Sequence, residues 1–225
     1  MSSPHATHRA VLAALCRLGL VLLAAMAAPG IAQGASRTLE REFPLGPSQT
    51  VRIDLRFGEI HVEPGDSGRV EVELRARCSS HRGNCDERLE GLEIEADSRG
   101  RVLEVRVYGL RRFSTHSMHV ELWVRVPADR PLDIDLGAGE VRVAGVEADL
   151  RVHLGAGYIG VRMPADAVRS VDARAGVGDA SLRSRGRRVE ERRHLVGGVA
   201  RWDEGSGQAR VDCHVGAGEV EVRLE

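Results

Sequence analysis

The sequence predicts an all-β fold: a small, β-helix-like β-solenoid of about 20-residue coils with a strand-rich N-terminal region. Three observations predict it. Polar and apolar residues alternate with period two through segment after segment. A Gly-x-Gly motif recurs in the C-terminal half. No segment beyond residue 35 carries a convincing helical period. A β-sandwich is the alternative, since it also combines alternating strands with glycine turns. Regular spacing of the motif favours the solenoid.

Residues 1–35 read as a signal peptide. They hold no acidic residue, and His5, His8, Arg9 and Arg17 lead into the apolar run LGLVLLAAMAA at 18–28. That run is too short to cross a bilayer and has the length of a signal-peptide core. Pro29-Gly30 breaks it, and AQG at 32–34 suits cleavage near Gly34 or Ala35. An uncleaved anchor is the competing reading, disfavoured by Arg17 and the short core. Cys16 sits behind Leu15, where a lipoprotein signal would have a small residue. No later stretch approaches a transmembrane length, so no membrane span is expected after cleavage. The expected location is periplasmic or secreted to the cell surface.

Composition excludes several chemistries. All 32 basic residues are arginine, which removes P-loop and Schiff-base chemistry. Once the leader is removed, 30 arginines face 33 acidic residues without a basic block, which argues against nucleic acid. Cys78 and Cys85 flank SSHRGN, and an oxidising compartment favours a disulfide between them. Closing so small a loop stabilises by ~2–3 kcal/mol. Metal binding by Cys78, His81 and Cys85 is the alternative, without a fourth ligand nearby. Cys213 is left as a buried thiol.

Residues 36–128 form the N-terminal strand-rich region. Alternation marks TVRIDLRF at 50–57, RVEVELRARC at 69–78, LEIEA at 92–96, RVLEVRVYG at 101–109 and HVELWVRVP at 119–127. Ser98-Arg99-Gly100 reads as a hairpin turn.

Residues 129–225 form the repeat region of the same domain. LDIDLGAGEVRV at 132–143, LRVHLGAGYIGV at 150–161, VDARAGVGDASL at 171–182 and VDCHVGAGEVEV at 211–222 align, with first glycines 18, 21 and 40 residues apart. The gap of 40 leaves room for a degenerate copy at 194–202, giving five coils, and RIDLRFGEIHV at 52–62 reads as a related copy keeping only Gly58. Each copy is strand, glycine bend, strand, turn. Stacked in chain order, Leu136, Leu154, Ala175, Leu195 and Val215 point inward, as do Val141, Ile159, Ala180, Ala200 and Val220. Arg193 stands in an otherwise apolar column, and RSRGRRVEERRH at 183–194 reads as a loop. Outward, Asp133, Arg151, Asp172, Arg192 and Asp212 would form a ladder of alternating charge.

These strands, together with RVPADRPLDIDLGAGEVRV, WDEGSG at 202–207 and the terminal GAGEVEVRL, resemble the bacterial DUF4097 family, whose members are commonly labelled adhesins. The resemblance spans roughly residues 40–225. It implies a β-solenoid-like domain and supplies no catalytic residues.

Candidate chemistry is sparse. His153, His194 and His214 share one outward column with Asp135 and Arg174, and are the candidate metal ligands; solvated histidines on a sheet face are the simpler reading. His116 and His119 of HSMH fall on opposite strand faces. Glu59, Glu140, Asp179 and Glu219 follow the glycine bends, where glycoside cleavage would need paired carboxylates and aromatic platforms. Trp202 reads as core. The GAG and GVG motifs open no helix and so hold no dinucleotide phosphate. No catalytic or cofactor-binding residue is assigned, and no cofactor is expected. The chain reads as an exported, non-enzymatic structural or binding protein of the cell envelope, its partner an unknown envelope protein or polysaccharide. The alternative is a carbohydrate-active enzyme on a β-helix scaffold. Expressed with its leader in a bacterial host, the protein should carry a mature N-terminus near Ala35 by intact mass; retention of Met1 would reject the leader.

Overall fold

The computed structural model describes residues 35–225 apart from 79–84, 111–117, 190 and 194–195. The leader, the SSHRGN loop, His116 and His194 therefore lie outside the described residues. The strands are β1 (Ser36–Pro44), β2 (Thr50–Pro64), β3 (Arg69–Cys78), β4 (Glu93–Arg99), β5 (Val102–Tyr108), β6 (Met118–Val126), β7 (Leu132–Ala144), β8 (Leu150–Met163), β9 (Val168–Ser184), β10 (Arg187–Arg188), β11 (Glu191–Arg193), β12 (Gly198–Trp202) and β13 (Ala209–Leu224). Among the described residues one short helix, α1 (Cys85–Glu90), interrupts them. It is the helical segment that periodicity missed, because six residues are too few to display a 3.6-residue repeat. Cys78 and Cys85 are bridged, with 6.1 Å between their Cα atoms, which ties the end of β3 to α1. Arg37 on β1 donates to the carbonyls of Leu89 and Glu90 at the helix C-terminus.

The chain is all-β, built on an open mixed sheet. Its strand order is β1-β3-β6-β2-β7-β8-β13-β9-β12-β11, with the β4–β5 hairpin joined through β5 to β2. In the middle, β2, β7, β8, β13 and β9 run parallel and in register. Leu55, Leu136, Leu154, Val215 and Ala175 form one buried row, and Ile60, Val141, Ile159, Val220 and Ala180 another. Alternation changes phase between them: in β7, Leu132, Ile134 and Leu136 are buried before the glycines, Val141 and Val143 after them. That phase shift is the signature of a corner. Both legs can then turn their apolar side chains to the same interior.

The corner is a stack of glycines. Gly58, Gly139, Gly157, Gly218 and Gly178 all have φ between 122° and 143°, a region side chains avoid. A Cβ on Gly157 would lie 1.8 Å from the carbonyl oxygen of Gly139, and one on Gly218 would lie 1.8 Å from that of Gly157. The first glycine of each motif is crowded in the same direction: a Cβ on Gly155 would meet the Gly137 carbonyl at 2.3 Å. This explains the upstream copy, which reads Arg56-Phe57-Gly58. Gly58 faces the carbonyl of Val120 on β6, at 2.5 Å from a Cβ. Arg56 falls in the gap between the two strands that flank β2 on that side, since β5 pairs only Thr50–Asp54 and β6 begins opposite Glu59.

The strand pairing departs from the expected stack in three respects. The stacking does not follow chain order: β13 inserts between β8 and β9, so Leu154 lies between Leu136 and Val215 rather than against Ala175. The degenerate copy is not a parallel coil. β12 pairs antiparallel with β9, and β11 antiparallel with β12. Its Gly197-Gly198 pair serves close approach instead, for a Cβ on Gly197 would meet the Ala175 carbonyl at 2.4 Å. The column expected to hold Arg193 is continued from Ala173 by Ala200 instead, while Arg193 pairs with Gly198, and the arginine-rich stretch is part hairpin, with Arg187 opposite Ser184. The charge ladder is reordered too. It reads Arg52, Asp133, Arg151, Asp212, Asp172 and Arg201, which places two aspartates side by side. Asp172 is compensated by Arg174 and Arg201, and nearly buried Asp133 by Arg52 at 2.7 Å.

Gly157→Ala should cost at least ~3 kcal/mol in urea unfolding, because strain and a backbone clash add. Ala156→Gly, in the same exposed corner, should cost about 0.5–1 kcal/mol. Equal midpoints for the two variants would reject the stacked corner.

Candidate functional site

Each of the five parallel strands exposes one row of side chains before the corner and others after it, and the two surfaces differ in chemistry. Before the corner, the row reads Asp54, Asp135, His153, His214 and Arg174 across β2, β7, β8, β13 and β9. The rings of His153 and His214 meet edge to face with centroids 6.3 Å apart. The register thus brings together two of the three candidate histidines. Among the described residues no group of three metal-ligating side chains is positioned to hold an ion. The carboxyl of Asp135 is pushed above the usual range by partial burial and then by neighbouring Asp133, against the opposing pull of His153. This surface is a shallow depression lined by glycines, aspartates, histidines and Arg56, with no tryptophan, tyrosine or phenylalanine among its described lining residues.

After the corner, aromatic and charged groups from successive strands line up. Trp123 on β6 stacks on His61 of β2 with ring centroids 4.2 Å apart and planes 12° from parallel. The Arg75 guanidinium of β3 lies 5.5 Å from the Trp123 ring centroid. Next to His61 stands Arg142 of β7, paired with Glu140 and 5.8 Å from the ring of Tyr158. Tyr158 reaches across Gly160 in its own strand: a Cβ there would meet its ring at 2.9 Å. Its hydroxyl donates to Glu221 of β13 at 3.0 Å. Partial burial raises the Glu221 carboxyl, but bonds from Arg223 and Tyr158 outweigh this and hold it below the usual range. A groove of about 260 Å³ runs over this row, and one of about 520 Å³ lies between Trp123 and the glutamates and arginines of β1 and β3.

His119 contacts Glu121 at 2.9 Å and Glu59 at 3.5 Å, and Glu59 also meets His61 at 3.4 Å. Glu59, Glu140, Glu219 and Asp179 occupy one row, interrupted by Tyr158 between Glu140 and Glu219. Trp202 is only partly buried and packs against the core margin. Cys213 is a fully buried free thiol whose pKa burial pushes far up. Sequence reasoning missed the Trp123–His61 stack. The two residues are 62 positions apart and meet only because β6 pairs with β2, a partnership that no repeat announces.

No family model matches the chain, and no curated protein does. Among solved structures, a putative cell adhesion protein from Clostridium sporogenes is similar over 84% of this chain and 100% of its own, at 13% identity and a TM-score of 0.50. That likeness is one of fold. A putative adhesin from Bacteroides fragilis aligns over 84% and 99% of the two chains at 10% identity, with a TM-score of 0.25.

A carboxyl with a raised folded-state pKa keeps more protons in the native state than in the unfolded one. Stability therefore falls as pH rises from the ordinary aspartate value through the raised one. Asp135→Asn should remove that fall and raise the melting temperature at neutral pH, with the gap closing in acid where Asp135 is protonated. A lower melting temperature for the variant at neutral pH would contradict this.

Proposed function

We propose that this is an exported, non-enzymatic binding protein of the cell envelope, adhesin-like, in which the parallel coils form a β-solenoid. The resemblance of its repeats to the DUF4097 family belongs to the same reading. The observation that carries it is the row beyond the corner, where Trp123, His61, Arg142, Tyr158 and Glu221 are contributed by successive strands to one continuous surface. Rings flanked by arginines and carboxylates suit ligands with both apolar faces and charges. The in-register parallel strands and their short spacing in sequence support the solenoid. The disulfide fits an oxidising, extracytoplasmic setting, and the names of the fold neighbours agree with adhesion.

The carbohydrate-active enzyme has less support. Its chemistry needs two carboxyls beside a sugar platform. Glu59, Glu140 and Glu219 do stand in the same row as Tyr158, but the two nearest the Trp123–His61 platform are engaged in ion pairs, Glu59 with His61 and His119 and Glu140 with Arg142, rather than facing each other across an open sugar site.

The test is to incubate the purified mature chain with a panel of envelope polysaccharides and read two signals, retention on the polymer and release of new reducing ends. Retention that Trp123→Ala or Tyr158→Ala weakens about tenfold, without reducing-end release, is the expected result. Reducing-end release would replace the binding reading with the enzymatic one.

A further inference from the structure

Beyond the aromatic row the same face carries a line of arginines. Arg162 on β8, Arg223 on β13 and Arg183 on β9 are in-register neighbours in consecutive parallel strands, and all three are exposed. Parallel neighbours stand ~4.8 Å apart, so the three stems rise side by side across the strands. Like charges placed directly opposite destabilise a sheet. Local carboxylates offset this only in part. Glu225 meets Arg162 at 3.1 Å and Glu221 meets Arg223 at 2.8 Å. Glu221 is shared, because it also accepts from Tyr158 and feels Arg183. Elsewhere on the sheet, several arginines face carboxylates in the next strand, as Arg52 faces Asp133 and Arg201 faces Asp172. A row of three guanidinium groups departs from that pattern.

We propose that this arginine row binds the carboxylates of a linear acidic polysaccharide, a polyuronate lying across the strands. Three features select that ligand. The guanidinium fork matches a carboxylate with two parallel hydrogen bonds. The cations repeat at strand spacing, which suits a polymer with a charge on every unit better than one isolated anion. Tyr158, lying over Gly160 at the edge of the row, offers an apolar surface for the face of a sugar ring, and the same groove of about 260 Å³ is bounded by Arg142, Arg162, Arg223 and Glu221. The inference deepens the binding reading above and rests on it for its cellular setting. Binding in solution is decided without reference to export.

The test measures retention of the purified mature chain on immobilised polygalacturonate, with a neutral glucan and phosphatidylglycerol-containing vesicles as competing arms. Arg162→Gln, Arg183→Gln and Arg223→Gln should each weaken binding to polygalacturonate by roughly tenfold. Arg169→Gln, an exposed change at the start of β9, should leave it unchanged. Relief of like-charge crowding should keep the melting temperature of Arg183→Gln at or above that of the unaltered chain. Three results would overturn the proposal: equal loss in Arg169→Gln, which marks charge without a site; equal retention on neutral glucan; or retention on vesicles alone, which marks a membrane surface. Failure here alongside retention of other polysaccharides in the panel would remove the arginine row and leave the binding reading standing.

Discussion

The fold depends on one repeated contact, a peptide carbonyl seated where a glycine of the next strand lacks a side chain. At Gly139, Gly157, Gly218 and Gly178 the space that a Cβ would need is occupied by the neighbouring strand's backbone. The contact sets the corner in each of these parallel strands, and the corner fixes much else. It shifts the alternation by one residue, so both legs bury apolar side chains while each shows a polar row to solvent. It also locks register, because a slip of one residue would drive Ala138 or Glu140 into the place of Gly139. In-register pairing of Leu, Val and Ile rows then follows, and so do the outward rows of histidine, aromatic and arginine groups.

Much of this was legible in the sequence because the repeat encodes it locally. The Gly-x-Gly motif located the corners, alternation located the buried rows, and Cys78 and Cys85 were close enough in sequence to pair. What escaped depends on contacts between distant segments. The neighbour order of the coils is set by which apolar rows and carbonyls fit together, and four nearly equivalent copies contain no label of adjacency. The segment around Gly197-Gly198 misled because glycine serves a close approach in either strand direction. For the candidate surface, the His153–His214 pairing could be read from the repeat, whereas the Trp123–His61 stack could not, since Trp123 belongs to a strand outside it.

The two ends of the sheet are managed differently. At one end, β1 has the sequence SRTLEREFP, whose charges are poorly suited to pairing with another chain, and the disulfide-anchored helix packs beside it. At the other, the antiparallel β12 lies against β9 where a further parallel strand would otherwise pair. An antiparallel strand presents a different hydrogen-bond pattern from the coils, so it ends the repeat rather than extending it. Arg174, whose row continues onto Val199, marks the same boundary.

The insertion of β13 between β8 and β9 also orders events in time. As the chain emerges, β7 and β8 can dock on β2 in sequence, but β9 appears before the strand that joins it to β8. Until β13 arrives, β8 and β9 each present an unpaired edge and an uncovered glycine corner. Completion of the core is thereby deferred to a late, non-local step, the kind that slows folding. A chain cut short before β13 would therefore keep β8 and β9 as two open parallel edges, each a template for pairing with another copy.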